Sequence, residues 1–152
     1  MSKLALIPPF CLLDAYSDPG YHLLLPQLLS YEPYREYVRK IQKGSFTILD
    51  NGAFEGDGID QTSLIDLAVM LNVDEVVVPD TLRDKDTTLA QARDFSEELM
   101  TREGQQLPEK YMAVVQGETL EECIEVSMPR TTSAASTISS SHRGEDPRKW
   151  IS

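Results

Sequence analysis

Short apolar runs alternate with amphipathic stretches along most of the chain. Three runs have the continuous apolar character of buried strands, at residues 46–49, 75–78 and 111–115. Apolar residues at three- and four-residue spacing predict helices at 33–43, 61–72, 87–100 and from Leu120 onward. From Phe46, strand and helix therefore alternate in units of about thirty residues, the size of a βαβ repeat. This pattern predicts an α/β fold with a parallel sheet covered by helices.

The two ends of the chain depart from this pattern. Near the start, apolar runs flank Pro8-Pro9, and we expect a first strand that ends near Asp14. Near the end, residues 131–141 are almost all Ser, Thr and Ala, which bury too little apolar surface to offset the entropy lost on ordering. We therefore expect one folded domain at 1–128 and a disordered, low-complexity tail at 129–152. A closed eightfold βα barrel needs about 200–250 residues, whereas the chain has 152.

The charge of the chain is acidic and unevenly distributed. There are 25 Asp and Glu residues against 14 Lys and Arg, and residues 46–128 hold 19 of the acidic residues and 5 of the basic ones. Such a surface is not expected to bind nucleic acid by itself, because phosphate contacts require clustered cations. Two distant cysteines, Cys11 and Cys123, fit reduced thiols in a cytoplasmic protein better than a disulfide or a metal cluster. No apolar run approaches the ~18 residues that a bilayer requires, so no membrane contact is predicted.

Each of the three predicted strands ends in polar residues. Asp50 follows the first strand, Asp80 the second, and Gln116 with Gly117 the third. Any one of these could be an ordinary turn residue, but the carboxyl ends of parallel strands meet at one rim of a sheet. We therefore expect two carboxylates and an amide to face one pocket. A guanine-like base would suit these groups, as would an amidine, a sugar or a hydrated divalent ion.

Segment 50–55, Asp-Asn-Gly-Ala-Phe-Glu, resembles the Asp-Ser-Gly-Gly-Phe-Gln motif of the tRNA-guanine transglycosylase (queuine tRNA-ribosyltransferase) superfamily. The strand leading to Asp80 and the Val-Val-Gln-Gly strand at 114–117 follow in the matching order. With Pro-Asp-Thr at 79–81 and Tyr-His-Leu-Leu at 21–24, the chain looks most like the bacterial and phage branch. Members of that branch exchange guanine for a 7-deazaguanine in DNA. The resemblance extends over residues 4–126.

This resemblance implies a (β/α)8 barrel, of which residues 1–128 would form an incomplete part. It also implies exchange of a guanine base in DNA or tRNA through a covalent enzyme–nucleic acid intermediate. By position, Asp50 would be the catalytic acid or base, and Asp80 would bind the base edge. Gln116 and Gly117 would contact the carbonyl of the base, and Phe54 would pack beneath the motif loop. The base must leave its stack before it can react, and a carboxylate can serve as the nucleophile.

The chain also departs from this superfamily. The nucleophilic aspartate of the family lies on a later strand, beyond the part of the chain that keeps the pattern, so it is not assigned here. The tRNA-acting members bind zinc through three cysteines and a histidine, and with only two cysteines we predict no zinc and no other cofactor. His22 lies in an apolar run, and we expect it to be structural.

Two other functions are compatible with the sequence. The domain could be a non-catalytic interaction or assembly module, because an incomplete barrel exposes strand edges and apolar surface. It would then form a homodimer or bind a partner chain that completes the barrel. A small-molecule lyase or aldolase on a βα barrel is a third possibility, although no strand-end lysine supports it.

Overall fold

The computed structural model describes residues 4–53, 59–102 and 104–127. Within these ranges the strands are β1 (Ala5–Leu6), β2 (Tyr21–Leu24), β3 (Phe46–Leu49), β4 (Glu75–Val77) and β5 (Lys110–Met112). The α-helices are α1 (Glu32–Ile41), α2 (Gln61–Leu71), α3 (Lys85–Thr101) and α4 (Leu120–Ser127). Short 3₁₀ helices occupy Phe10–Leu12 and Pro26–Ser30. The predicted α/β class is confirmed.

All five strands form one parallel sheet in the order β1-β2-β3-β4-β5. The spatial order therefore equals the order along the chain, without the reversal that defines a doubly wound sheet. The register aligns Leu24 with Leu49, Leu49 with Val76, and Val76 with Tyr111. These four side chains form one row across the sheet, on the face that carries the helices.

The hydrophobic core lies between this row and the helices. Leu24, Leu49 and Val76 belong to one buried cluster, and Tyr111 packs against it. The helices contribute Tyr34, Tyr37, Val38, Ile41, Leu64, Ile65, Ala68 and Phe95. The rings of Phe95 and Tyr111 meet edge to face at 5.9 Å. Burial of these apolar side chains is the main force that fixes the helices on the sheet.

The opposite face of the sheet lies outside this core. Leu23, Ile48, Val77 and Met112 alternate with the buried row, so they project from the other side. None of them belongs to the helix-side cluster, and Met112 is 42% exposed. On the same face the rings of Tyr21 and Phe46 stack at 4.9 Å, and the Lys110 ammonium lies 5.0 Å from the Phe46 ring centre.

Three elements differ from the sequence-based expectation. The first strand ends at Leu6 rather than near Asp14, because two prolines follow and Phe10–Leu12 turns into a 3₁₀ helix. Strand β2 was not predicted, since His22 and Pro26 mask the short run. Strand β5 ends at Met112 rather than at residue 115, and Val115 is 44% exposed.

Capping explains where two helices begin. The Asp60 carboxylate accepts a hydrogen bond from the Ser63 N–H at 3.0 Å, so Asp60 caps α2. Thr119 caps α4, because its hydroxyl accepts from the Glu122 N–H at 3.2 Å. The Glu122 carboxylate in turn accepts from the Thr119 N–H at 3.3 Å, which completes a capping box.

His22 is a satisfied core residue. Its Nδ1 lies 2.6 Å from the Tyr37 hydroxyl, and its Nε2 lies 3.2 Å from the Asp18 carbonyl oxygen. Since a carbonyl can only accept, Nε2 carries the proton and Nδ1 accepts from Tyr37. This agrees with the expected structural role.

Several predictions concern residues that are not described. The tail at 129–152 and the Phe54 side chain both lie outside the described residues. Among those that are described, no helix has the length and apolar character needed to cross a membrane.

The buried tyrosines of α1 predict a loss of stability at alkaline pH. Burial raises the pKa of both Tyr34 and Tyr37 above the ordinary value of 10.0. Their contribution to the free energy of unfolding is complete below pH 10.0. It is lost as the pH rises toward the raised folded-state pKa, at about 1.4 kcal/mol per pH unit for one such group. Urea unfolding between pH 8 and 11 measures this slope. We expect Tyr34→Phe to reduce the slope and the exposed control Tyr31→Phe to leave it unchanged; equal slopes in all three proteins would contradict the prediction.

Candidate functional site

Polar side chains from the ends of β3, β4 and β5 meet around the Asp80 carboxylate. Asn51 Nδ2 donates to Asp80 Oδ1 at 2.5 Å, and Gln116 Nε2 donates to Asp80 Oδ2 at 2.6 Å. Asp80 and Gln116 are half-buried, whereas Asn51 is only 4% exposed. The carboxyl edge of the sheet therefore carries one carboxylate with an amide on each side.

The Asn51 amide is fixed by further hydrogen bonds. Its Nδ2 also donates to the Val78 carbonyl at 3.0 Å, and its Oδ1 accepts from the Ala53 N–H at 2.8 Å. Gly52 follows with φ at +75°, a left-handed conformation that glycine adopts at little cost. No role for Asn51 was expected from the sequence. The feature that could have identified it is its position after a buried strand and before a glycine.

Gln116 is held at both ends of its amide. Its Oε1 accepts from the Arg83 N–H at 3.2 Å, while its Nε2 faces Asp80. Arg83 itself has φ at +61°, so the turn after Asp80 adopts a left-handed conformation at a non-glycine residue. The same orientation of Gln116 leaves its second Nε2 hydrogen for another acceptor.

A second polar group extends the site along α3. The Thr81 hydroxyl donates to Gln91 Oε1 at 3.1 Å. The Thr81 N–H donates to the Thr88 hydroxyl at 3.0 Å, and that hydroxyl donates back to the Thr81 carbonyl at 3.1 Å. These contacts fasten the chain after β4 to the first turns of α3.

A cavity of about 510 Å³ adjoins the network. It is lined by Asn51, Ala53, Ile59, Asp60, Pro79, Asp80, Thr81, Leu82 and Gln91. This volume lies within the range of about 300–1,000 Å³ that is usual for small-molecule sites. Asp60 is a second carboxylate at this cavity. The Ser63 side chain and the Ser63 backbone N–H donate hydrogen bonds to it and lower its pKa.

The remaining predicted site residues occupy different positions. Asp50 directly follows β3, and one of its carboxylate oxygens accepts from the Asn51 N–H at 2.8 Å. Asp50 is not among the described residues that line the cavity. Phe54 lies outside the described residues. The structure thus joins Asp80 to Gln116 directly, and Asn51 connects Asp80 to Asp50.

Gly117 lies against α4. A Cβ atom at this position would come within 2.8 Å of Glu122 Cβ and 3.3 Å of Cys123 Sγ. The close approach that glycine permits here is therefore to the first turns of α4. The contact of Gly117 with the carbonyl of a base stays a prediction.

Hydrogen-bonding capacity defines what the network can bind. A carboxylate has about four lone-pair sites, and the two amides occupy two of those of Asp80. One acceptor site on each oxygen therefore remains, next to a donor on Gln116. Such a set suits a planar ligand edge with two adjacent donors and one acceptor.

Neither a metal cluster nor a disulfide is formed by the described residues. No three of their His, Cys, Asp and Glu side chains are grouped so that they could hold a metal ion. Cys11 and Cys123 are both free thiols, the first exposed and the second half-buried.

No protein-family model, no curated protein and no solved structure matches the chain.

The packing of Gly117 gives a test of this region. We expect Gly117→Ala to destabilise the protein by about 1–3 kcal/mol, because the added methyl group must displace α4 from β5. The control is Gly20→Ala, whose nearest contact would be an ordinary 3.6 Å to His22 Nε2. Urea unfolding at neutral pH measures both variants. Equal midpoints for the two would show that α4 is not packed as described.

Proposed function

We propose that this chain carries the base-binding site of a transglycosylase that exchanges guanine for a 7-deazaguanine in DNA or tRNA. The observation that supports this most strongly is the Asp80 carboxylate with Gln116 and Asn51 at the carboxyl edge of a parallel sheet. The order of the residues along the chain also agrees with the resemblance of segment 50–55 to the superfamily motif.

The hydrogen-bonding pattern fits the edge of guanine. Along one edge, guanine presents the carbonyl oxygen O6, then N1–H and then its 2-amino group, so its two donors are adjacent. In this arrangement the two Asp80 oxygens accept from the two donors, and the free Gln116 N–H donates to O6. The cavity of about 510 Å³ exceeds what one planar ring system occupies, so it leaves room for the sugar or for a substituent.

Exchange requires a second carboxylate beyond Asp80. A carboxylate nucleophile would form a bond to C1′ as the bond from C1′ to N9 of guanine breaks, and the incoming base would then displace that carboxylate. Asp50 is our candidate for the proton transfers to the leaving base and from the incoming one. The nucleophile would come from outside the described residues. A cationic surface for the nucleic acid would also come from outside them, because residues 46–128 are strongly acidic.

The strand order supports a barrel as the complete architecture. Five parallel strands in sequential order, with helices on one face, have the arrangement of consecutive units in a (β/α)8 barrel. Catalytic groups of such barrels lie at the carboxyl ends of the strands, which is where Asp80 and Gln116 lie.

Base binding can be tested on the isolated chain. We expect equilibrium dialysis to detect binding of radiolabelled guanine, and Asp80→Asn to weaken it by about tenfold to a hundredfold, since hydrogen bonds to a charged acceptor are lost. Asp94→Asn, the same change on an exposed part of α3, should bind as the original chain does. A sample that unfolds cooperatively but does not bind guanine would contradict the proposal.

A second candidate function is assembly without catalysis. The observation that favours it is the sheet face opposite the helices, where Met112 is 42% exposed, although Ile48 and Val77 are buried and the charged Glu75 and Lys110 lie on the same face. Parallel sheets are almost always covered on both faces, and β1 and β5 also end the described sheet with unpaired edges. A partner chain or a second copy would bury this surface.

Sedimentation velocity tests the assembly candidate. We expect dimers or larger species whose proportion rises with protein concentration, and Met112→Lys should shift them toward monomer because it adds a charge to the apolar face. Met100→Lys is the control, since Met100 is exposed on α3. A monomer at every concentration would rule out self-assembly through this face.

A further inference from the structure

Asn51 joins the ends of β3 and β4 through a side-chain amide whose two donor hydrogens are both used. Both Nδ2 hydrogens are used, one by the Val78 carbonyl at 3.0 Å and one by Asp80 Oδ1 at 2.5 Å. Its Oδ1 accepts from the Ala53 N–H at 2.8 Å. Because an amide reversed at this position would place an oxygen against a carbonyl and a carboxylate, its orientation is fixed.

This fixed amide determines the orientation of Asp80. The carboxylate receives one hydrogen bond per oxygen, from Asn51 on one side and Gln116 on the other. Rotation of the carboxylate plane would break both bonds, and hydrogen bonds to a charged acceptor are about twice as strong as neutral ones. The remaining acceptor sites of Asp80 are thereby fixed in direction, and Asp80 lines the cavity.

We propose that Asn51 is a positioning residue for ligand binding by Asp80: it orients the carboxylate so that both oxygens accept hydrogen bonds from the same edge of the bound base. This inference rests on the proposed function. Asn51 has no donor left for the ligand and is only 4% exposed, so its effect on affinity acts through Asp80. A residue that only joined β3 to β4 would need the bond to Val78 and not the bond to Asp80.

The decisive variants exchange amide and carboxylate. Asn51→Asp keeps the shape and the acceptor for Ala53 but places an oxygen against Asp80, so we expect guanine affinity to fall about tenfold or more. The double variant Asn51→Asp with Asp80→Asn restores a hydrogen bond between positions 51 and 80 with its direction reversed. We expect it to recover part of the thermal midpoint lost in Asn51→Asp. It should not recover guanine affinity, because an amide at 80 offers one acceptor oxygen instead of two.

Two measurements on each protein decide the question, namely the thermal midpoint and the binding of radiolabelled guanine by equilibrium dialysis. Gln27→Glu is the control, because it makes the same amide-to-carboxylate change at an exposed residue and should alter neither measurement greatly. If Asn51→Asp lowers the thermal midpoint but leaves guanine affinity unchanged, Asn51 is structural and the inference is overturned.

The same data separate failure of this inference from failure of the proposed function. If the original chain binds no guanine, the proposed function fails and the role of Asn51 in binding fails with it, even where the thermal midpoints show that positions 51 and 80 interact. If guanine binds to the original chain and equally well to Asn51→Asp, base binding stands and only the positioning role of Asn51 is wrong.

Discussion

Among the described residues, two neutral amides hold the Asp80 carboxylate, and no lysine or arginine does. A partly buried carboxylate is costly without hydrogen-bond donors, and Asn51 and Gln116 supply one to each oxygen. Because amides carry no charge, the negative charge of Asp80 is solvated but not neutralised. The site therefore favours a ligand with donors. The contact exists only because the parallel register places the ends of β3, β4 and β5 side by side.

The two faces of the sheet differ in how they are stabilised. On one face, the row from Leu24 to Tyr111 is buried by α1, α2 and α3, which explains why these helices dock as they do. On the other face, Met112 and its neighbours lie outside this core. The helix-side core is enough to define the register, and through it the geometry around Asp80. The other face holds the exposed Met112 together with Ile48 and Val77, which are buried.

Sequence periodicity predicted the class of fold and the approximate bounds of the helices, because α1, α2 and α3 each bury a regular apolar face. It also predicted that Asp80 and Gln116 would share one rim, since both follow strands of a parallel sheet. It did not identify β2, whose four residues include a histidine that is satisfied in the core by hydrogen bonds to the Tyr37 hydroxyl and the Asp18 carbonyl. Nor did it identify Asn51, because its contacts with Val78 and Asp80 are distant in the sequence, or the packing of Gly117 against α4, which depends on the three-dimensional path of the chain between them.

The sequential strand order has a further consequence. Each strand of the described sheet pairs only with the strands that neighbour it in the sequence, so the alignment of β3, β4 and β5 requires no strand from a distant part of the chain. Units could therefore be gained or lost at either edge during evolution without rearranging the residues around Asp80. Such a sheet is a suitable starting point for gene duplication and fusion, in which the residues around Asp80 are inherited intact while the remainder is replaced.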